Sequence, residues 1–528
     1  MDANKVVTEQ NATQITDRTV AQITEQTATQ TAKQTIYSTR MKQNFRFFGP
    51  ATFLYAVWYA FCMFHNGSGV TFPFFVAGSL FYLCFSLSKL EISLKKGSGF
   101  YMVSMMLLAV STFGTDDGRI IFFNKTGIFL LMMALLLSLF YDTSRWKLGK
   151  YLGSILTMVF CSFGELRGVF ADCTAYCKEK DRKNRTGIYI ALGIVIALPL
   201  LLVVTALLGD ADVVFRQVTK KFFAGIRLGN VLDVAFRIVF LFLASYQLLA
   251  YLCKKTMREE VADKRKGEPI LAITITTLLS VVYLVFSAIQ IVYLFLGQMQ
   301  LPEGYTYAKY AREGFFQLLA VSILNLIIVL VCMGFFRENK VLKIILTVMS
   351  LCTFIMIASS ALRMILYIQS YYLTFLRLLV LWGLALLFVL FVGITVSIYR
   401  EKFPLFRYCM AVVTVLYIVL SFSHPDYIIA TVNLSNEQDY YYLSTLNADA
   451  APALIPYMAK QGYDLDCFDW EKMVFKGKVD GEYVERFSQD GFGYYYLERL
   501  MERCRPMSVR TYNISRDMAL QTVQKYRQ

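Results

Sequence analysis

The sequence predicts an all-α polytopic transmembrane helical bundle of about 11 spans with a small, mainly helical C-terminal extracytoplasmic module. Three observations predict it. Long apolar stretches recur from Phe47 to Phe422, separated by charged segments. A hydrocarbon core about 30 Å thick takes roughly 20 apolar residues of helix, and most of the stretches reach that length. Of 528 residues 56% are hydrophobic and 17% charged, with mean hydropathy +0.48. So apolar a chain belongs in lipid rather than in water. Finally, the basic residues fall in alternate loops, as the positive-inside rule requires of a multi-pass protein.

Residues 1–45 are Thr, Gln and Ala with scattered charges, and Thr8-Glu-Gln-Asn-Ala-Thr-Gln is echoed by Thr24-Glu-Gln-Thr-Ala-Thr-Gln. With few large apolar side chains they cannot offset the entropy of ordering, so a disordered cytoplasmic tail is expected. The first apolar run starts behind Arg40, Lys42 and Arg46, and no cleavable signal peptide is expected. Residues 46–142 hold the N-terminal transmembrane helices, read as 47–64, 70–88, 100–114 and 120–141. Residues 143–186 mix apolar residues with Lys150, Glu165, Arg167, Asp172 and Lys178. They read as a cytoplasmic amphipathic segment at the interface followed by a basic loop, and the parity of the topology depends on that reading.

The main bundle, 187–422, has spans at 187–208, 231–253, 270–297, 315–336, 344–368, 373–398 and 406–422. Pro73 and Pro199 lie inside spans and kink them locally. After Leu208, Val213, Val214, Val218 and Phe222 alternate with Arg216, Lys220 and Lys221. That pattern suits a helix lying on the outer leaflet, or a plug or gate helix. Residues 423–528 are richer in charge and form a soluble extracytoplasmic helical tail, with short helices at 439–446, 449–460, 494–504 and 515–526. Thr431-Val-Asn-Leu-Ser-Asn recurs loosely as Thr511-Tyr-Asn-Ile-Ser-Arg, with Ser435 and Ser515 placed to cap the helices that follow.

The net charge is +15, from 53 Lys and Arg against 38 Asp and Glu. About thirty of the basic residues lie in the N-terminal tail and in the loops 89–96, 145–185, 254–266, 337–343 and 400–407. The opposite loops, such as 65–69 and 114–119, carry very few. The excess therefore reports orientation in a plasma membrane: N-terminus cytoplasmic, C-terminus extracytoplasmic. The C-terminal tail has more acids than bases, so nucleic acid is not an expected partner. The partners expected are the lipid bilayer and a protein at the tail.

Chemistry-bearing groups are sparse. The two histidines, His65 and His424, are far apart in sequence, and most of the 11 cysteines lie in spans. Cys173 and Cys177 lack ligand partners at metal spacing, so no metal site and no cofactor are predicted. A disulfide between Cys467 and Cys504 of the tail is left open. Ionisable residues inside spans are costly and are functional candidates by default. Here they are Asp233 and Arg237, four apart, with Arg363, Arg377, Glu313 and Asp212 at the outer ends of spans. They fit a polar outer cavity for a transported substrate, or a structural ion-pair network with snorkelling arginines. In the seventh span Tyr283, Phe286, Gln290 and Tyr293 share one helix face, which reads as helix packing with Asn325 at the depth to bond Gln290.

At these residues the chain resembles bacterial multi-pass proteins of the domain-of-unknown-function 4153/4173 type. The resemblance rests on Tyr283-Leu-Val-Phe286-Ser-Ala-Ile-Gln290 and on Tyr305-Thr-Tyr-Ala-Lys-Tyr310-Ala-Arg312-Glu-Gly314-Phe315-Phe316. Arg363-Met-Ile-Leu-Tyr367, Leu373-Thr374-Phe-Leu-Arg377, Asp210-Ala211-Asp212 and Asp449-Ala-Ala-Pro452-Ala-Leu454 extend it over about residues 187–460. The family has Gly where Tyr372 stands, and Gly admits backbone angles that Tyr tolerates poorly. The resemblance implies an α-helical membrane fold and no particular activity. Three functions stay open: a non-enzymatic envelope contact or sensing protein, a transporter or channel working through spans 6–10, and an intramembrane enzyme on lipid-linked substrates using Asp210, Asp212 or Glu313.

Overall fold

The computed structural model describes residues 31–179 except 33, 144, 145 and 147, scattered positions between 193 and 215, then 228–255, 265, 267–292, 307–400, 403–435, 439–463, 465, two short strands, 492–504 and 507–527. The described chain is helical apart from a pair of antiparallel two-residue strands, β1 (Phe468–Asp469) and β2 (Val474–Phe475). Among the described residues nine helical stretches are long and apolar enough to cross a membrane: Thr71–Leu90, Gly118–Phe140, Gly149–Asp172, Asp233–Lys254, Pro269–Gln290, Gly314–Phe335, Lys340–Tyr371, Phe375–Tyr399 and Leu405–Phe422. That is the make-up of a multi-pass membrane protein. Eight of the nine coincide with expected spans. Of the other three expected, 47–64 is a helix outside the nine, 100–114 is a shorter apolar helix, and 187–208 lies mostly outside the described residues.

The described residues fall into two compact units. The first is drawn from Met1–Ala109 and Gly127–Val261. It contains α1 (Phe45–Met63), α2 (Thr71–Leu90), most of α3 (Ser98–Gly114) and α4 (Gly118–Phe140), α5 (Leu148–Ser162), α6 (Leu166–Glu179) and α7 (Leu228–Lys254). Residues 34–43, expected within the disordered tail, are helical: Met41 is buried, and Arg40 pairs with Glu91 at 2.6 Å. Residues 1–30 lie outside the described part.

The ninth stretch, Gly149–Asp172, is the segment that reads in sequence as interfacial. It runs through α5, a 3-10 turn and the start of α6, packed on α7. Lys254 of α7 meets Glu165 at 2.6 Å, and the Tyr246 hydroxyl donates to Asp172 at 3.1 Å. Partners on α7 supply what headgroups and water would otherwise supply, so these charges do not require an interfacial position.

The second unit is drawn from Val110–Thr126 and Ala262–Gln528. It holds the tip of the α3–α4 hairpin, then α8 (Pro269–Gln290), α9 (Tyr307–Phe335), α10 (Lys340–Tyr371), α11 (Phe375–Tyr399) and α12 (Leu405–Phe422). The central helix is α10, which packs against α8, α9 and α11 through Leu346, Met349, Cys352 and Met356 and, further along, Ile357 and Met364. Gly393 lets α12 approach α11, because a Cβ there would clash with the Tyr408 ring.

The C-terminal helices follow: α13 (Pro425–Leu434), α14 (Tyr440–Ser444), α15 (Ala451–Lys460), α16 (Phe492–Arg503) and α17 (Ile514–Tyr526). They share a core of their own that includes Leu443, Leu454, Met458, Phe492 and Leu497. Helices α14 to α17 fall where helices are read from sequence, α13 is not among those expected, and the caps differ. Asn513, not Ser515, accepts the Arg516 amide at the start of α17, while Ser435 bonds back to the Val432 carbonyl at 2.7 Å. Cys504 is a free, buried thiol, and Cys467 lies outside the described residues.

Between α10 and α11 the chain turns at Tyr372, with φ 68° and ψ 165°. This is a region of backbone space that is essentially glycine's, costing of order 1–3 kcal/mol for another residue. Three contacts hold the turn. Arg377 donates to the carbonyls of Tyr371 and Tyr372, a cation at a helix C-terminus. Asn433 binds both backbone groups of Leu373, at 2.8 and 2.9 Å, and the Tyr442 hydroxyl accepts the Phe375 amide at 2.9 Å. Tyr372→Gly is expected to stabilise the protein by about 1 kcal/mol, the relieved strain exceeding the added chain entropy. Thermal unfolding in detergent checks it, and an unchanged or lowered midpoint would remove the strain argument.

Candidate functional site

The densest polar chemistry in the second unit lies where the α3–α4 tip meets the C-terminal helices. After Gly114 the segment Thr115-Asp116-Asp117 turns the chain into α4. Asp117 sits at the helix start, and its carboxylate accepts the Arg119 amide at 2.9 Å, an acid where the helix dipole favours one. The same carboxylate takes the Arg119 guanidinium in a two-pronged pair, at 2.9 and 2.7 Å. The guanidinium also reaches Asp426 of α13 at 2.5 Å and stacks on Phe375, 3.8 Å from the ring centroid. The other oxygen of Asp426 accepts the Asn447 amide at 3.1 Å.

Asp116 and Asp449 complete the network. Asp116 receives Arg503 at 3.0 Å and Arg516 at 2.7 Å, from α16 and α17. Asp449 accepts the Asp116 amide at 2.9 Å and the hydroxyls of Thr115 and Ser515. His424 Nδ1 stands 3.5 Å away, delivered by a left-handed backbone (φ 47°) between α12 and α13. The Asn513 amide donates to the Thr115 carbonyl at 3.0 Å. All four carboxylates are buried, and the side chain of Asp449 has no exposed surface. A buried charge is tolerated only when paired and hydrogen-bonded, and each of these is.

Four carboxylates meet three guanidiniums, so one negative charge remains to be matched by a proton. Two groups are tuned to hold it. Burial pushes Asp426 up to about 6, against the pull of Arg119. Asp449 raises His424 above its ordinary value, against the effect of burial. Asp449 itself is pushed up by burial, but the bonds from His424, Ser515, Thr115 and the Asp116 amide outweigh this and hold its carboxyl below the usual range.

The residues singled out from sequence fall elsewhere. Asp233 and Arg237 pair with each other at 2.9 Å on α7 of the first unit. Asp212 is exposed and accepts the Phe215 amide at 2.6 Å. In the second unit the Gln290 amide oxygen accepts Ser359 at 2.7 Å and faces Arg363 at 3.5 Å. The Arg363 guanidinium lies against Gly314, where any Cβ would clash. Arg377 closes the end of α10 and stacks on Tyr367 at 4.4 Å. Glu313 belongs to α9, but its side chain lies outside the described part, as does Tyr293. Tyr283 and Phe286 pack in the α8–α9–α10 core. The expected Gln290–Asn325 bond is replaced by bonds to α10: Asn325 donates to Thr353 at 2.9 Å, and Gln290 accepts Ser359 at 2.7 Å.

Sequence reading missed the carboxylate network, although its signals were present. Thr115-Asp-Asp-Gly-Arg119 puts three charges on a tip between two apolar helices. The loose repeat around Asn433 and Asn513 marks two asparagines with one job, each bonding the backbone of a turn of the bundle, at Leu373 and at Thr115.

A family model described as "Domain of unknown function (DUF4153)" matches residues 102–457. The chain belongs to the DUF4153 family. No curated protein and no solved structure matches it. The DUF4153 match begins well before the residues that carry the resemblance in sequence. It takes in Asp116, Asp117, Arg119, Asp426 and Asp449, and stops short of Arg503, Asn513, Ser515 and Arg516.

Two outcomes are expected. Asp449→Ala strands the groups gathered around it and should cost about 3–5 kcal/mol in unfolding experiments, with His424→Gln costing far less. The pH dependence follows from the signs. Asp426 and His424, both raised on folding, contribute stability when protonated; it is lost as pH rises through about 6 for Asp426 and through the raised value for His424. Asp449, lowered on folding, contributes above the ordinary carboxyl range and loses that as pH falls through its lowered value. The second unit should therefore be most stable in mild acid and weaken toward pH 8. Asp426→Asn should flatten the profile between about pH 4 and 6; a profile rising steadily to pH 8 in the unsubstituted protein contradicts the assignment.

Proposed function

We propose that this DUF4153 protein is a non-enzymatic protein of a bacterial plasma membrane. Its N-terminus is cytoplasmic, and its bundle holds the C-terminal helices as a rigid extracytoplasmic module for protein contact or sensing. One observation carries the reading. The buried carboxylates Asp116, Asp117, Asp426 and Asp449 are all engaged by partners in the turn and the C-terminal helices, and they join those helices to the bundle rather than facing a substrate. Such charges act as keys.

Orientation is supported from within the second unit. The α10–α11 turn bonds Asn433 of α13, so the module lies at the C-terminal end of α10. The other end of α10, about 48 Å away along 32 residues of helix, carries Arg337, Lys340 and Lys343. Arg265 joins them through Glu338, and Arg400 and Arg407 flank the start of α12 after α11 has run back. Basic residues opposite the module match an extracytoplasmic module under the positive-inside rule. This support does not involve residues 150–177.

The module also exposes apolar side chains suited to contact: Val509 at 90%, Met518 at 49% and Ile514 at 37%. Scattered singly these would mean little, but they fall within ten residues on one segment. Asp233 and Arg237 bond each other and Arg377 bonds backbone carbonyls, which supports the structural ion-pair reading of these residues over the transport one. Photo-crosslinkers at Val509 and Met518 of the full chain in its native membrane are expected to capture a discrete protein adduct. A crosslinker at neither position yielding one would overturn the contact role. Ser508→Cys is expected to react with a membrane-impermeant maleimide in intact cells, and protection until lysis would reverse the orientation.

A further inference from the structure

The interior shared by α8, α9 and α10 has a chemistry of its own. The buried face of α8 is Ala272, Thr276, Ser280, Tyr283, Ser287 and Gln290, so every side chain after the first carries a polar atom. The opposite face of this helix, with Ile270, Leu278, Val282 and Val285 exposed, is apolar and suits lipid. From Thr276 to Gln290 the stripe runs about 21 Å along the helix, most of a bilayer core.

A stripe of small hydroxyl residues is by itself an ordinary way to pack membrane helices closely. Several of these hydroxyls are satisfied in the ordinary way as well: Thr276 and Thr353 each donate to the carbonyl four residues back, at 2.7 and 2.8 Å. Three buried atoms are different. Ser280 Oγ, Ser287 Oγ and Asn325 Oδ1 have no partner among the described residues. Asn325 has no exposed surface, and its amide is pinned, since Nδ2 donates to Thr353 Oγ1 at 2.9 Å across the α9–α10 interface. Rotating the amide to satisfy Oδ1 would break that bond. An unmet buried acceptor costs about 1–3 kcal/mol, and water bonded to two or more polar groups removes the cost.

We propose that more than one water is bound in this seam, one donating to Asn325 Oδ1 and others meeting the hydroxyls of Ser280 and Ser287, about 10 Å apart along α8, so that the α8–α9–α10 interior is hydrated at membrane depth. The groups facing it are uncharged oxygens, which suit water rather than an ion. The end near Gln290 is closed by the Ser359 bond and the Arg363 guanidinium. This inference is independent of the module's role.

Synchrotron hydroxyl-radical footprinting of the full, unsubstituted chain in lipid nanodiscs tests it, because radicals form from bound water and modify the side chains beside it. The reporters are Met349, Cys352 and Met356, all buried in the core that the stripe lines. Met458, as deeply buried in the apolar core of the C-terminal helices, is the dry reference, and exposed Met518 the wet one. At least one of the three reporters is expected to be modified on the order of tenfold faster than Met458. Modification of all three no faster than Met458 means a dry seam and overturns the proposal. Asn325→Leu is expected to lower the reporter rates several-fold while Met458 stays protected and Met518 stays reactive. Rates unchanged by that substitution would show that these groups do not hold the water, and would equally overturn the assignment.

Discussion

A carboxylate with no exposed surface cannot exist here without its partners, and the arrangement around Asp449 follows from that constraint. Its ligands come from the α3–α4 tip, from the left-handed residue between α12 and α13, and from the first turn of α17. Removing a charge pair from water costs several kcal/mol per ion, recovered only with good geometry and full hydrogen bonding. The C-terminal helices therefore have one place to sit. Their own core, around Leu454, Met458 and Phe492, provides cohesion but little direction, since apolar packing is not directional. The ionic keys supply the direction, and the asparagine clamps at Leu373 and Thr115 extend it to the turns of the bundle.

Much of this fold was legible in the sequence because length and hydropathy dominate in lipid. Eight expected spans reappear as long apolar helices, and four of the five short helices described in the tail fall where turn residues and apolar spacing put them. The segment 150–177, expected at the interface, is long and apolar enough to cross a membrane, and its acids have partners that sequence does not announce. Glu165 and Asp172 look like surface residues until α7 supplies Lys254 and Tyr246, and nothing local announces a partner some 75–90 residues away. The same limit hid the carboxylate network. Asp116 and Arg516 are 400 residues apart, and a sequence of charges does not say which pairs will be buried together. Tyr372 is the opposite case: the resemblance, which puts Gly at this position, marked the turn as one to question, and its positive φ is a steric matter local to the residue.

The second unit solves the burial of polar groups in two ways. At the module end, charges are gathered and almost balanced, four acids against three guanidiniums, with a histidine and one raised carboxyl to take up the difference. Within the α8–α9–α10 interior, the polar groups are neutral hydroxyls and amides, and the deeply buried Arg363 lies near the end of the stripe beside Gln290 and Gly314. The division follows dielectric logic, because an uncharged hydroxyl in a low-dielectric interior forfeits far less than an ion does. Gly314 and Gly393 mark where this close packing leaves no room for a Cβ, against Arg363 and Tyr408.

The distance in sequence between Asp116 and its partners also sets a timetable. The tip of the α3–α4 hairpin leaves the ribosome early, and Arg516 follows 400 residues later. At about 5–20 residues per second the interval is roughly 20–80 s. Throughout it Asp116 lacks both of its guanidinium partners, whereas Asp117 has Arg119 two residues away. Helix α17 brings Arg516 to Asp116 and Ser515 to Asp449, so the network stays incomplete until that helix has been made, although Arg503 and His424 precede it in the chain.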